Sequence, residues 1–215
     1  HQSEDQILAQ MKKKTRYGIR LASRKGVVIR EGNEGDLPQF YQWMKTTAAR
    51  DPYRYYDLAY YREAWRQFAP KDMMKLWIAD YQDEPLAGAM VIAFGEWAVY
   101  KWGASSGAHH KRMPNYLLQW TAILWSKERG CHYYDLGGIT PSVATALKQG
   151  KKPKPTDSKG AGIAHFKSGF GQVVSFPDSY DNNYGVRPRW LVRKAVLYSG
   201  RSEFLRRLVQ GARGV

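Results

Sequence analysis

Residues 74–102, MKLWIADYQDEPLAGAMVIAFGEWAVYKW, decide the fold class. Apolar residues recur here with a period of two, and turn residues at 83–85 and 95–96 interrupt the pattern. Such alternation between short turns predicts an antiparallel meander. The expected strands of this meander are 76–79, 86–94 and 97–102.

The segments on either side of the meander indicate helices. A strand at 27–29 and helices at 37–49 and 58–68 precede it, and Pro114 opens an amphipathic helix at 114–129. The side chains expected to be buried on that last helix are Leu117, Trp120, Thr121, Leu124 and Trp125. This order of elements favours an α+β acyltransferase-type domain, with a mixed, largely antiparallel sheet flanked by helices, over a doubly wound sheet.

The two ends of the sequence are less regular. A helix is expected from Ser3 to Arg24, with a capping box at its start. Residues 132–139 predict a short strand that ends in a glycine loop, and residues 148–160 predict a polar loop. Residues 163–176 are interpreted as strands because of their spaced aromatic and β-branched residues.

The net charge of +15 indicates polyanionic partners. Lysine and arginine cluster at 1–30, 148–167 and 185–215. Nucleic acid, a nucleotide-linked substrate or an anionic membrane face would each match this charge, and so would ordinary solvated surfaces.

Several kinds of chemistry have no sequence support. The pair 109–110 lacks the spacing of metal-binding histidines, so no metal is expected. No Walker loop is present, and at 166–171 Phe166 occupies the place where a coenzyme A loop needs Gln or Arg. No cofactor is therefore expected, and the single Cys131 fits a reducing, cytoplasmic compartment.

Residues 162–171, GIAHFKSGFG, place one cation, Lys167, among aromatic and glycine residues. A cation sheltered from water exerts a stronger field on a nearby negative charge than a surface cation does. Arg112 precedes the helix that starts at Pro114, where an anion can bind the helix N-terminus. Tyr134 and Asp135 end a strand just before two glycines, a place where backbone can approach a ligand.

Four motifs occur in order, and together they carry a resemblance. They are Thr15-Arg-Tyr-Gly-Ile-Arg20, Pro114-x-x-Leu-Leu-Gln-Trp120, Tyr134-Asp-Leu-Gly-Gly-Ile139 and Phe166-Lys-x-Gly-Phe-Gly171. In this combination the chain resembles the FemABX peptidyltransferases, which use aminoacyl-tRNA to build peptidoglycan cross-bridges. The resemblance covers nearly the whole chain and implies GNAT-like subdomains.

The resemblance also implies a division of the chain. Residues 1–25 would be a basic connecting helix at the end of an absent or truncated first GNAT-like subdomain. Residues 26–183 would form the second GNAT-like subdomain, and residues 184–215 a basic segment that returns to the first.

The site residues follow from the resemblance as well. Lys167 would stabilise the oxyanion that forms when the amine attacks the aminoacyl ester. Arg112 and Tyr116 would hold the diphosphate and muramyl peptide of the precursor, UDP-MurNAc-pentapeptide or lipid II. The other expected substrate contacts are Tyr134, for which Tyr133 competes, Asp135 and Phe166. The expected contacts with the tRNA phosphates are Lys14, Arg16, Arg20, Lys151, Lys152 and Lys154.

The implied activity is aminoacyl transfer in the cytoplasm, with possible peripheral contact at the inner face of the membrane. An aminoacyl ester is already activated, so positioning and oxyanion stabilisation suffice, without metal or coenzyme. Two alternatives stay open at this point. One is a non-catalytic RNA-binding or scaffold domain, and the other is a GNAT-type acyl-CoA N-acyltransferase.

Overall fold

A computed structural model describes residues 2–50, 55–151 and 158–175. By its packing the chain divides into residues 1–173 and 174–215, and the account below concerns the first unit. The helices of this unit are α1 (Glu4–Gln10), α2 (Lys13–Arg24), α3 (Leu37–Arg50), α4 (Leu58–Phe68), α5 (Pro114–Glu128), α6 (Pro141–Lys148) and α7 (Ser158–Lys167). Its strands are β1 (Val28–Glu31), β2 (Met74–Tyr81), β3 (Glu84–Phe94), β4 (Trp97–Ser105) and β5 (Tyr133–Asp135).

The five strands form one sheet in the order β1-β2-β3-β4-β5. The first four strands pair antiparallel, which confirms the predicted meander. Strand β5 pairs with β4 in parallel over Trp97–Val99, as expected for a strand that follows a crossover helix. The sheet is therefore mixed and largely antiparallel.

Helices cover both faces of the sheet because alternate strand residues point to opposite sides. On one face, Leu76 and Ile78 of β2 join Phe40 of α3 and Tyr61 of α4 in a buried cluster. On the other face, Ala79 of β2 joins alanines of β3 and packs against Leu118 of α5 and Ala22 of α2. Small residues on this second side let α5 lie close to the sheet.

Helix α5 is buried over a wider surface than the sequence predicted. Trp120 and Trp125 are buried as expected, but Leu117, Thr121 and Leu124 are only half-buried. The buried residues are Pro114, Leu118, Gln119, Trp120, Ala122, Ile123, Trp125 and Ser126. The helix packs against the sheet on one side and against a cluster with α2 and Phe170 on another, so its buried surface exceeds a single stripe.

Two local predictions were wrong, and one helix was missed. The expected helix from Ser3 to Arg24 is broken into α1 and α2, because Met11 and Lys12 adopt extended backbone and Lys12 N–H bonds instead to the carbonyl of Gly169 at 2.8 Å. Over the described part of the stretch 163–176, which ends at residue 175, the expected strands are absent, and α7 is followed by a turn in which Phe170 N–H bonds to the Lys167 carbonyl. Helix α6 was not predicted, although Pro141 follows Thr140 at its start.

Candidate active site

The ammonium group of Lys167 lies at the end of β5. Lys167 is the last residue of α7, and its Nζ donates a hydrogen bond to the carbonyl of Gly138 at 3.2 Å. A Cβ atom placed on Gly137 would lie 3.4 Å from Nζ. The lysine therefore contacts the backbone of the glycine loop that the sequence placed after the strand.

The shape of that loop follows from two residues. Gly137 has a φ of +79°, a conformation that costs a glycine little and other residues more. The carboxylate of Asp135 accepts a hydrogen bond from the Gly137 N–H at 2.7 Å, which closes an Asx turn. Asp135 thus has a structural role in turning the backbone toward Lys167.

The surroundings of Lys167 disfavour its charge. Burial lowers the pKa of the Lys167 ammonium, and the nearby carboxylate of Asp135 opposes part of that shift. The Lys167 residue is half-buried, and within the described part of the chain its ammonium donates to one carbonyl, so further N–H donors stay available for another acceptor. Such an ammonium can stabilise a transient oxyanion, because its partly buried surroundings screen the attraction less than bulk water does.

Three aromatic rings pack together beside this lysine. Tyr116 of α5 meets Phe166 edge-on at 5.0 Å between ring centroids and stacks with Phe170 at 5.9 Å. Phe166 and Phe170 are themselves 5.1 Å apart. Burial raises the pKa of the Tyr116 hydroxyl, so this ring stays neutral at ordinary pH. We refer to these three residues as the aromatic wall.

The position of Tyr116 depends on Gly18. A Cβ atom placed on Gly18 would lie 2.8 Å from Cγ of Tyr116, closer than carbon atoms normally approach. The absence of a side chain on α2 at this point therefore lets the ring of α5 lie flat against it.

We expect Gly18→Ala to destabilise the protein by about 1–3 kcal/mol, because the added methyl must displace the Tyr116 ring. Helix propensity alone would predict the opposite sign, since alanine is favoured over glycine within a helix. Gly162 on α7 is the matched control, because a Cβ there meets nothing within 4 Å. Urea denaturation should show Gly162→Ala as stable as the parent or more so. If Gly18→Ala were equally harmless, the close contact would be refuted.

A cavity of 220 Å³ opens at the start of α5, beside the aromatic wall. Its lining includes Tyr116 and Phe166 together with Lys14, His110 and Asn115. The structure thus brings three residues predicted from the sequence, Lys14, Tyr116 and Phe166, to one place. The N-terminus of a 15-residue helix adds a positive electrostatic potential there.

Arg112 occupies a neighbouring position. Its guanidinium donates hydrogen bonds to the Lys25 carbonyl and to the Tyr81 hydroxyl, each at 2.7 Å, and lies 3.5 Å above the centre of the Tyr81 ring. It lines a second cavity, of 310 Å³, with Lys25 and other basic residues. His110 lines both cavities, which are therefore neighbours. The stacked guanidinium has a fixed orientation and retains N–H donors.

Tyr134 points away from the cavities. Its hydroxyl donates a hydrogen bond to Oε1 of Gln119 at 2.7 Å, and burial, with a smaller contribution from Tyr100, raises its pKa well above the usual range. This bond fastens β5 to α5. The competing Tyr133 is exposed and stacks on Trp97 at 4.5 Å, at the beginning of β5 rather than at its end.

The predicted phosphate contacts have different surroundings. Arg16 donates to the Met11 carbonyl at 2.5 Å, so it helps to cap the end of α1. Lys14 and Arg20 are exposed on α2, and Lys151 is exposed after α6. Lys152 and Lys154 lie outside the described residues.

Sequence reasoning missed two parts of this site. Gln119 is a buried polar residue on α5, three positions after Tyr116, and a polar residue in an otherwise apolar helix face was the available signal. The Gly138 carbonyl carried no such signal, because backbone groups look alike in a sequence.

In the described ranges no three His, Cys, Asp or Glu residues are grouped for a metal ion. Among those same residues, no helix has the length and hydrophobicity needed to cross a bilayer.

Comparison with known proteins extends this description. Residues 9–148 match a family model described as an acetyltransferase (GNAT) domain. A UDP-N-acetylmuramoylpentapeptide-lysine N(6)-alanyltransferase from Weissella viridescens is 26% identical over 127 residues, 59% of this chain and 37% of that protein. A lipid II:glycine glycyltransferase from Staphylococcus haemolyticus is 18% identical over 200 residues, 63% of this chain and 48% of that protein. The crystal structure of FemX matches with a TM-score of 0.67 and 18% identity, covering 79% of this chain and 56% of that chain.

These matches confirm the predicted α+β, GNAT-like fold and the resemblance to the FemABX proteins. The two relatives described above are both transferases that, by their names, act on peptidoglycan precursors. This chain spans about half or less of their length, 48% of one and 37% of the other. The structural likeness to FemX is a likeness of fold.

Proposed function

Because this chain belongs to the acetyltransferase (GNAT) domain family, we propose that it works as an aminoacyltransferase, moving an amino acid from aminoacyl-tRNA to the peptide of a peptidoglycan precursor. The acceptor class follows the names of the relatives, one an alanyltransferase for UDP-N-acetylmuramoylpentapeptide-lysine and one a glycyltransferase for lipid II. The observation that carries the proposal is the half-buried Lys167 ammonium at the end of β5.

The proposed reaction needs no group beyond the two substrates and this site. An amine of the acceptor peptide attacks the ester carbonyl, and a C–N bond forms as the carbonyl oxygen becomes an oxyanion. The ammonium of Lys167 stabilises that oxyanion. Collapse of the intermediate breaks the ester C–O bond, and the proton lost by the amine passes to the departing ribose oxygen. The Gly138 carbonyl keeps Nζ at the end of β5 throughout.

The acceptor is proposed to bind in the two neighbouring cavities. Arg112 would contact its diphosphate, since the stack on Tyr81 already fixes the guanidinium plane. Tyr116 and Phe166 would line the muramyl peptide at the start of α5. Asp135 would act through the turn that it closes, and Tyr134 by fastening β5 to α5.

The tRNA is proposed to contact the exposed lysines and arginines of α2, Lys14 and Arg20, through its phosphates. Such contacts weaken steeply with added salt. We place the reaction in the cytoplasm, and a lipid-linked acceptor would bring the protein to the inner face of the membrane.

One experiment separates this proposal from its alternatives. The intact protein is given charged tRNA and acetyl-CoA together, with UDP-MurNAc-pentapeptide as acceptor, and the acceptor is weighed by mass spectrometry. The proposal expects addition of one aminoacyl residue. An added acetyl group would identify an acyl-CoA N-acyltransferase. No transfer, together with salt-sensitive tRNA binding, would identify an RNA-binding or scaffold domain.

We expect the transfer rate, divided by the fraction of acceptor amine that is unprotonated, to fall as pH rises through the pKa of Lys167, at a pH below the ordinary range for lysine. The ammonium is the active form in this mechanism, so deprotonation removes the stabilising charge. The free energy of unfolding should rise over the same pH range. The unfolded chain binds this proton more tightly than the folded protein does, so folding is favoured as pH rises. Single-turnover rates across alkaline pH, with thermal unfolding at each pH, test both signs. A rate that stays flat up to the ordinary lysine range would contradict the prediction.

A further inference from the structure

We propose that partly exposed aromatic rings beside β4 form a stacking platform for the single-stranded 3′ end of an RNA. The platform consists of Tyr56, Tyr60 of α4 and Trp102 of β4, with Lys101 next to them. It lies outside the cavities described above. The inference rests on the proposed function for the identity of the RNA, which would be the acceptor end of tRNA.

The geometry of the rings supports stacking. Tyr56 and Tyr60 are parallel within 13° and 4.0 Å apart, and they are 39% and 43% exposed. Tyr60 meets Trp102 edge-on at 5.8 Å. The buried ring of Tyr61 lies beneath both, 6.1 Å from Tyr60 and 5.4 Å from Trp102. Core packing therefore holds the rings of Tyr60 and Trp102 in place before any ligand binds, and the Tyr56 ring stacks on Tyr60.

The charges beside the rings favour RNA over an apolar partner. Lys101 Nζ lies 5.8 Å from the centre of the Trp102 ring, and Lys45 Nζ lies 5.2 Å from the ring of Tyr41 on the adjacent helix α3. The nearby carboxylate of Asp57 is occupied in capping α4 through the Tyr60 N–H at 2.8 Å. Rings interleaved with cations suit bases joined by phosphates, since each base has a face to stack and each phosphate a charge to neutralise.

The platform and Lys167 lie on either side of the edge of β4, because Trp102 packs in the cluster with α3 and α4 whereas Tyr100 packs in the cluster with α5. Within the described residues, β5 pairs with β4 only over Trp97–Val99, so it has left the edge of β4 before Trp102. The carbonyl of Tyr100 lies 3.9 Å from a Cβ placed on Gly137, which is itself next to Nζ of Lys167. Trp102 follows Tyr100 by two residues, about 7 Å along the strand. An RNA whose ester lies at Lys167 would therefore have to pass over this edge of the sheet for its terminal nucleotides to stack on the rings.

The test measures binding of RNA to the intact protein, independently of transfer. The probe is a short single-stranded RNA ending in CCA, followed by fluorescence anisotropy, with a duplex RNA of equal charge as competitor. We expect Tyr56→Leu and Tyr60→Leu to weaken binding of the single strand about tenfold. Tyr133→Leu is the matched control, because Tyr133 is also an exposed stacked ring and pairs with Trp97 at the opposite end of β4 from the platform. Its affinity should equal that of the parent.

Each outcome decides the inference. Affinity unchanged in both Tyr56→Leu and Tyr60→Leu, an equal loss in Tyr133→Leu, or equal competition by the duplex would overturn it. Tyr56 lies before α4 and away from the core, so Tyr56→Leu stays informative if Tyr60→Leu unfolds. RNA binding that depends on these rings, without aminoacyl transfer, would contradict the proposed function and leave the platform supported. If both Tyr56→Leu and Tyr60→Leu transfer the amino acid with an unaltered KM for charged tRNA, the platform is contradicted and the proposed function is not.

Discussion

Replacing Lys167 by methionine is expected to slow single-turnover aminoacyl transfer by about 10²–10³-fold, the range seen when one preorganised oxyanion donor is removed. Methionine keeps an unbranched side chain of similar length, so packing against the glycine loop should change little. The loss should appear in the rate of the chemical step and not in the affinity for either substrate, because Lys167 acts on the charge that develops during reaction.

Two further variants make this result specific. Lys127→Met removes a lysine from the last turn of α5, at the opposite end of that helix from the aromatic wall, and should leave the rate unchanged. Lys167→Arg keeps a positive charge with a different geometry and should restore part of the rate. A rate for Lys167→Met within a few-fold of the parent, in a folded protein, would remove Lys167 from the mechanism.

The second large effect concerns the core beneath the platform. Phe40 is fully buried between α3 and the sheet, and Phe40→Ala should lower the free energy of unfolding by about 3–5 kcal/mol. A Cβ placed on Gly88 of β3 would lie only 2.8 Å from Cδ2 of Phe40 and 3.2 Å from Cδ1 of Ile78. Gly88→Ala should therefore overpack the parent core, at a cost of about 1–3 kcal/mol.

The effects of Phe40→Ala and Gly88→Ala on the free energy of unfolding should not be additive. With the Phe40 ring removed, the methyl of Gly88→Ala enters space that the ring has vacated, so the double variant should be more stable than the sum of the single effects predicts. Urea denaturation of the parent, both single variants and the double variant measures this coupling. Strict additivity would show that Gly88 and Phe40 do not meet as the structure places them.

The fold was predictable where short-range patterns dictate it. The alternation in 74–102 and the helix opened by Pro114 were read correctly because each depends on neighbours within one strand or helix. Helix α4 was predicted with its observed bounds, 58–68, since Leu58, Tyr61, Trp65 and Phe68 recur at helical spacing. These features need no knowledge of distant contacts.

The stretch around Lys167 was misread for an identifiable reason. Phe166 lies in the last turn of α7 and Phe170 in the turn after it, and Tyr116 of α5 packs against both rings. The apolar residues after them, Val173 and Val174, extend the run and made a strand pattern plausible. Glycines at 160, 162, 169 and 171 weakened the helical signal further. Tertiary contact with α5, which a local pattern does not show, favours the helix.

The candidate site was predictable in its residue types more than in its arrangement. Lys167 was singled out by its apolar surroundings, and its nitrogen does lie at the strand end that carries Tyr134 and Asp135. That Arg112 stacks on Tyr81 and that Tyr134 turns toward Gln119 depend on contacts across 31 and 15 residues of chain. Such pairs depend on how the elements pack, so one sequence does not determine them.

The most direct test of the central claim asks whether the Lys167 amine lies in the substrate cleft. The intact protein is labelled with trace acetic anhydride, with and without UDP-MurNAc-pentapeptide, and modification of each lysine is measured by peptide mass spectrometry. We predict that the precursor protects Lys167 and leaves Lys127 as reactive as before. Equal labelling of Lys167 in the presence and absence of saturating precursor would contradict the account.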